Sequence, residues 1–166
     1  MLIKYHYADS PKLSSAKLVL SIHNLKYQGI FEPYFLGEFL NLPMTPFWDG
    51  TVEFDGKVNL LKSGIVYADQ VLTVSRSYAD EILYPFYGEG LDEVLRNYSG
   101  KLQGITNGID YDLYNPMKDP HIHQPYDSRT LESKIENKLA FQKEIGLKVS
   151  QDMLMIGIIS RLVDMK

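Results

Sequence analysis

The chain has 166 residues, 45% of them hydrophobic and 12% aromatic, which is enough to build a packed core and excludes a disordered chain. A formal net charge of −4 gives no reason to expect nucleic acid or an anionic membrane as partner. There is no cysteine, so disulfide frameworks, thiolate nucleophiles and Cys-based metal sites are excluded.

Residues 1–7 are too short and too polar for a signal peptide, and no stretch approaches the roughly 20 apolar residues of a membrane span. The expectation is a soluble cytoplasmic protein. Residues 17–22, Lys-Leu-Val-Leu-Ser-Ile, form an apolar run that breaks at His23-Asn24 and reads as a buried parallel strand opening into a loop. Residues 35–40 read as a short helix closed by Asn41 and Pro43. Val58, Leu61, Ile65 and Val66 recur at helical spacing and predict a core-facing helix over 57–67. Residues 70–74 predict a second strand. Ser75 follows as an N-cap, and Tyr78, Ile82 and Leu83 mark a helix that ends before Pro85.

Residues 91–98 are helical by pattern, with Asp92 and Glu93 in the first turn. Residues 102–106 form a third, weaker strand. The stretch 110–130 is rich in Pro, Asp, Asn and Tyr without a period and reads as a connection. A long amphipathic helix is expected over 131–145, stopped by Gly146. The apolar run 153–159 is the strongest strand signal, and the chain ends seven residues later without a crossover helix. Strands alternating with helices imply βαβ units and a parallel, doubly wound sheet, here in two α/β units joined by 110–130.

Ligands of such sheets sit outside the carboxyl ends of the strands. Three polar segments fall there: His23-Asn24, Asn107-Gly108, and Arg161 to Lys166. By position alone His23 reads as a hydrogen-bonded strand-end histidine and Asn107-Gly108 as a turn dipeptide tolerant of positive φ. Arg161 and Lys166 read as solvated cations or as a grip on a diphosphate. His121 and His123 lack a partner at metal-ligand spacing and are expected to face solvent. Gly88-Glu89-Gly90 reads as a turn rather than a phosphate loop, and Tyr84, Phe86 and Tyr87 as core or surface packing rather than a sugar platform.

Taken in order, several longer motifs are more specific than any of these. The run Ser21-Ile22-His23-Asn24-Leu25-Lys26-Tyr27-Gln28-Gly29 resembles a signature of the ADP-glucose-using glycogen and starch synthases. The resemblance continues through Glu53-Phe54, residues 57–69, Thr73-Val74-Ser75, Tyr78-Ala79, Glu81-Ile82, residues 87–92 and 104–111, and closes on Ser160-Arg161-Leu162 with Lys166. It implies a glycosyltransferase of the GT-B architecture, with two Rossmann-like lobes and a sugar nucleotide in the cleft. Residues 1–109 would belong to the acceptor-side lobe, 110–130 to the connection and 131–166 to the start of the nucleotide lobe.

The implied reaction is retaining transfer of glucose from ADP-glucose to the non-reducing end of an α-1,4-glucan, without metal or other cofactor. By the same resemblance His23, Asn107, Arg161 and Lys166 are catalytic, with His23 and Asn107 beside the donor sugar and the two cations on the diphosphate. Asn24, Tyr27, Gln28 and Gly108 join them in substrate binding. The family's Lys-x-Gly-Gly segment and its later acidic, Gly-rich region are missing from this sequence, so it is expected to be an internal piece, inactive alone. The competing expectation is a non-catalytic glucan-binding module that keeps the fold of one lobe.

Overall fold

A computed structural model describes residues 1–160; residues 161–166 lie outside it. The chain divides into two compact units, Met1–Asn107 and Gly108–Lys166. Among the described residues no helix is long and apolar enough to cross a membrane.

The first unit is built on a three-stranded parallel sheet in the order β1 (Val19–Ile22), β5 (Gln70–Thr73), β6 (Leu102–Gly104). Val19 pairs with Gln70 and Ile22 with Thr73, while Thr73 also faces Gly104 on the other side. The three carboxyl ends therefore share one edge. Two helices, α5 (Arg76–Glu81) and α6 (Asp92–Asn97), lie between β5 and β6 in the chain, and α4 (Leu60–Tyr67) leads into β5. Ile22, Leu25, Ile65, Val71, Ile82, Leu91 and Leu95 are buried together, forming the main core. Burial at this level stabilises by about 1.5–3 kcal/mol per large side chain.

A second, smaller core of Leu36, Leu42, Val52 and Val58 lies under a three-stranded antiparallel sheet, β2 (Ile30–Phe31), β4 (Lys57–Asn59) and β3 (Glu53–Phe54). Two short helices, α2 (Phe35–Glu38) and α3 (Thr45–Trp48), and the N-terminal α1 (Leu2–His6) complete this part. Asn41, at φ 49°, ends the α2 turn as expected from its tolerance of the left-handed region.

Here the sequence reading needs correction. Residues 57–59 are a strand, not the first turn of a helix. Asp55 and Gly56, both at positive φ, form the two-residue turn that joins β3 to β4. The helix starts only after Asn59, whose side chain accepts the Lys62 N–H at 2.9 Å. Ser75 behaves as expected, its hydroxyl accepting the Tyr78 N–H at 3.0 Å.

The second unit contains α7 (Lys134–Glu144), preceded by a 3-10 turn at Leu131–Ser133. Gly146, at φ 73°, follows its end. The Leu147 N–H returns to Gln142 O at 2.8 Å and the Gly146 N–H to Lys143 O at 3.3 Å, which satisfies those two carbonyls of the last turn. Asn137 binds Gln124 in both directions, donating to its carbonyl and accepting its N–H.

The strand expected over 153–159 is absent from the described structure. Those residues belong to no regular element and have no ladder partners among the described residues, and Leu154, Ile156, Ile158 and Ile159 are exposed. A parallel strand exists only through its neighbours, and among the described residues none lies beside it.

Candidate functional site

The site is built where β1, β5 and β6 end together. After Ile22 the chain enters a loop whose side chains alternate between solvent and core. His23 and Asn24 are exposed, Leu25 is fully buried, Lys26 and Tyr27 are exposed, and Gln28 is buried again. Leu25 anchors the loop in the main core, and its N–H reaches the Tyr78 hydroxyl at 3.4 Å. The Asn24 side chain accepts the Lys26 N–H at 2.9 Å, closing a tight turn that fixes where His23 leaves the sheet. His23 Nε2 lies 3.2 Å from the Ser21 hydroxyl at the strand end, and the residue is exposed.

Gln28 reaches in the opposite direction. Its side-chain oxygen accepts from Asn59 Nδ2 at 2.6 Å, and its nitrogen donates to the Glu89 carbonyl at 2.8 Å. The Gln28 and Gly29 carbonyls accept the Leu61 and Leu60 N–H groups. These bonds, with the Asn59 cap, satisfy the first three donors of α4, groups that a helix N-terminus cannot satisfy internally.

At the other flank of β5, β6 ends at Gly104, and the Ile105 N–H still pairs with Thr73 O at 2.9 Å. Asn107 follows three residues later as the last residue of the first unit, and it is exposed. Gly108 opens the second unit. His23 and Asn107 are thus placed on loops that leave the same sheet edge, from the two strands that flank β5. Arg161 and Lys166 lie outside the described residues.

The other sequence candidates fall elsewhere. His121 and His123 are exposed, as expected, and line an open cavity of about 880 Å³ along α7 in the second unit with Glu136, Asn137 and Lys143. Among the described residues no group of three or more His, Asp or Glu side chains could hold a metal. Gly88, Glu89 and Gly90 form a turn, with Glu89 at φ 48° and Gly90 at φ 80°. Tyr84, Phe86 and Tyr87 are on the surface rather than in the core, Phe86 and Tyr87 packing edge to face at 4.8 Å.

Sequence reasoning missed Asn59. An Asn immediately before the run Leu-Leu-Lys was the available signal, since it is a preferred N-cap.

Comparison with known proteins gives a consistent result. The family described as the starch synthase catalytic domain matches residues 1–97. The chain is 46% identical over 166 residues to the glycogen synthase of Clostridioides difficile, covering all of this chain and 35% of that protein. It is 49% identical over 164 residues to the glycogen synthase of Thermotoga maritima, covering 99% of this chain and 34% of the relative. Among solved structures, the catalytic domain of starch synthase IV from Arabidopsis thaliana, bound to ADP and acarbose, superposes with a TM-score of 0.72 at 33% identity. That match covers 89% of this chain and 30% of the other. The chain therefore spans about a third of the length of these relatives.

Proposed function

The chain belongs to the family of starch synthase catalytic domains, and from that premise we propose that it forms part of a glycogen or starch synthase. The reaction is retaining transfer of glucose from ADP-glucose to the non-reducing end of an α-1,4-glucan. The observation that carries this reading is the similarity to glycogen synthases along the whole chain, including the loop that the structure places at the carboxyl edge of the parallel sheet.

His23 and Asn107, on the loops leaving that edge, face the donor glucose. Asn24, Tyr27 and Gly108 complete the sugar side, and Gln28 belongs to the same loop. Arg161 and Lys166 take the diphosphate. As the glucosyl bond breaks, negative charge grows on the departing diphosphate while the sugar becomes oxocarbenium-like. Two fixed cations stabilise that charge more in the transition state than in the ground state, so transfer proceeds without a metal ion or other cofactor.

The test uses the protein of full family length that carries this sequence. Arg161→Ala should lower turnover with ADP-glucose by about a hundred- to a thousandfold, the usual consequence of removing one preorganised electrostatic contact. Affinity for uncharged glycogen, measured separately, should stay near normal. His23→Ala should also slow transfer and spare glycogen binding. Transfer measured with UDP-glucose in parallel reads donor preference, and transfer in the presence of a chelator reads metal dependence. Near-normal turnover in both variants would sink the assignment.

A further inference from the structure

We infer that Gln28 and Asn59 are positioning residues, which fix the His23 loop through a one-way chain of amide hydrogen bonds anchored on helix α4. The inference rests on the functional reading above for His23, and it assigns Gln28 a role other than touching substrate.

The direction of the chain is forced by its first link. The Lys62 N–H can only donate, so the Asn59 side chain must turn its oxygen to it, at 2.9 Å. That leaves Asn59 Nδ2 facing Gln28, which must in turn present its oxygen, at 2.6 Å. The Gln28 nitrogen is then the group that meets the Glu89 carbonyl at 2.8 Å. No flip of either amide is compatible with all three partners. Asn59 is fully buried and Gln28 is 9% exposed, so an unmade bond would not be replaced freely by water.

The chain ties three segments that are distant in sequence: the loop after β1, the N-terminus of α4 and the turn at residues 88–90. The ion pair between Lys26 and Glu89 at 4.0 Å is half-exposed and adds little to this tie. Within the loop, Leu25 and Gln28 are the inward anchors, and Leu25 sets depth through apolar packing without direction. The amide chain supplies the direction. It holds the far end of a seven-residue loop whose near end carries His23, so the turn closed by Asn24 is clamped from both sides.

Two isosteric substitutions break the chain at different links. Gln28→Glu keeps an acceptor for Asn59 but sets a carboxylate oxygen against the Glu89 carbonyl. Asn59→Asp keeps the cap on Lys62 but loses its donor toward Gln28, and the helix N-terminus offsets part of the cost of a carboxylate at this buried position. Each variant is made alone and combined with His23→Ala, in the protein of full family length. Amide hydrogen exchange over residues 23–29 is measured beside steady-state transfer from ADP-glucose to glycogen.

Either variant should accelerate exchange across the loop. Each should lower kcat by on the order of a hundredfold, the scale set by misplacing a group at the reacting centre, while KM for glycogen changes little. In the His23→Ala background the same substitutions should lower kcat no further, although their effects on the melting temperature still add. Unchanged exchange over 23–29 in both variants overturns the tether. A kcat loss that multiplies with that of His23→Ala overturns the positioning role alone. A silent His23→Ala overturns the donor-side role of His23, and the positioning role with it.

Discussion

Gly104, the last residue of β6, lies directly against the backbone carbonyl of Ser75, so closely that a β-carbon at Gly104 would overlap that oxygen. It would also stand 2.5 Å from the Arg76 α-carbon. Both obstacles are backbone atoms at the start of α5, and neither can swing aside as a side chain could. Gly104→Ala should therefore displace β6 from α5, destabilising the protein by about 1–3 kcal/mol, the usual cost of overpacking. Denaturant unfolding of the variant beside the parent measures this, and an unchanged midpoint would show that the strand end yields freely.

Lys101 closes the opposite end of the same layer. Its ammonium donates to Val66 O at 2.9 Å and Ala68 O at 2.6 Å, at the C-terminus of α4, and lies 4.6 Å from the centre of the Tyr98 ring. Burial holds its pKa below the ordinary lysine value, with the Asp69 charge opposing that shift. Lys101→Met keeps the stem and removes the donors. Hydrogen bonds made by a charged group contribute roughly 1.5–3 kcal/mol, and a loss of that order is expected in thermal unfolding. A variant as stable as the parent would mean that water replaces the ammonium at those carbonyls.

Asp69 gives the fold an acid-sensitive link. Its carboxylate accepts the Leu18 N–H at 2.8 Å, which holds β1 to the start of β5 and is the main reason its pKa lies below the ordinary 3.8. Lys17, with its side chain 82% exposed, contributes less. A carboxyl depressed in the folded state contributes stability that is fully present above the unfolded value and is lost as pH falls through the folded one. Asp69→Asn should thus be less stable than the parent at neutral pH, with the difference shrinking as pH drops below 3.8. Melting curves from pH 7 to pH 2.5 read the convergence, and parallel curves would remove Asp69 from the acid response.

Limited proteolysis should cut first in the stretch 108–130. Tyr111, Leu113 and Tyr114 are all more than two-thirds exposed there, in turns without sheet partners. The 57–83 region is held by β4, α4, β5 and α5 around Ile65, Val71 and Ile82. Chymotryptic fragments sized by mass spectrometry test this, and early cuts within 57–83 would contradict it.

The parallel sheet and most helices were legible because their apolar residues keep period, and Ser75 and Gly146 mark boundaries with side-chain chemistry that acts locally. The β3–β4 hairpin was missed for a definite reason. Val58 fits helical spacing with Leu61 and Ile65, and that coincidence hid the Asp55-Gly56 turn signal just before it. At 153–159 the error ran the other way. The run is apolar enough for a strand, but pairing is a property of neighbours and cannot be read from one segment. For the candidate site, motif order singled out His23 and Asn107, which lie on loops leaving one edge of the parallel sheet. It did not show that Gln28 faces inward, because an amide looks the same in sequence whether it meets a ligand or another amide.

The stretch 108–130 has one more property, set by its acidic and amide side chains. Asp110 accepts the N–H groups of Asp112 and Leu113, Asn115 that of Met117, Asp119 that of His121, and Asp127 those of Arg129 and Thr130. Each closes a turn with a residue two or three places on, so the segment is a row of small self-contained knuckles rather than a slack polymer. A glycine-serine replacement of equal length would keep the residue count and lose the knuckles, turning jointed chain into random coil. The spelling of this segment matters as much as its length, and shuffling its residues is a harsher change than inserting one between two knuckles.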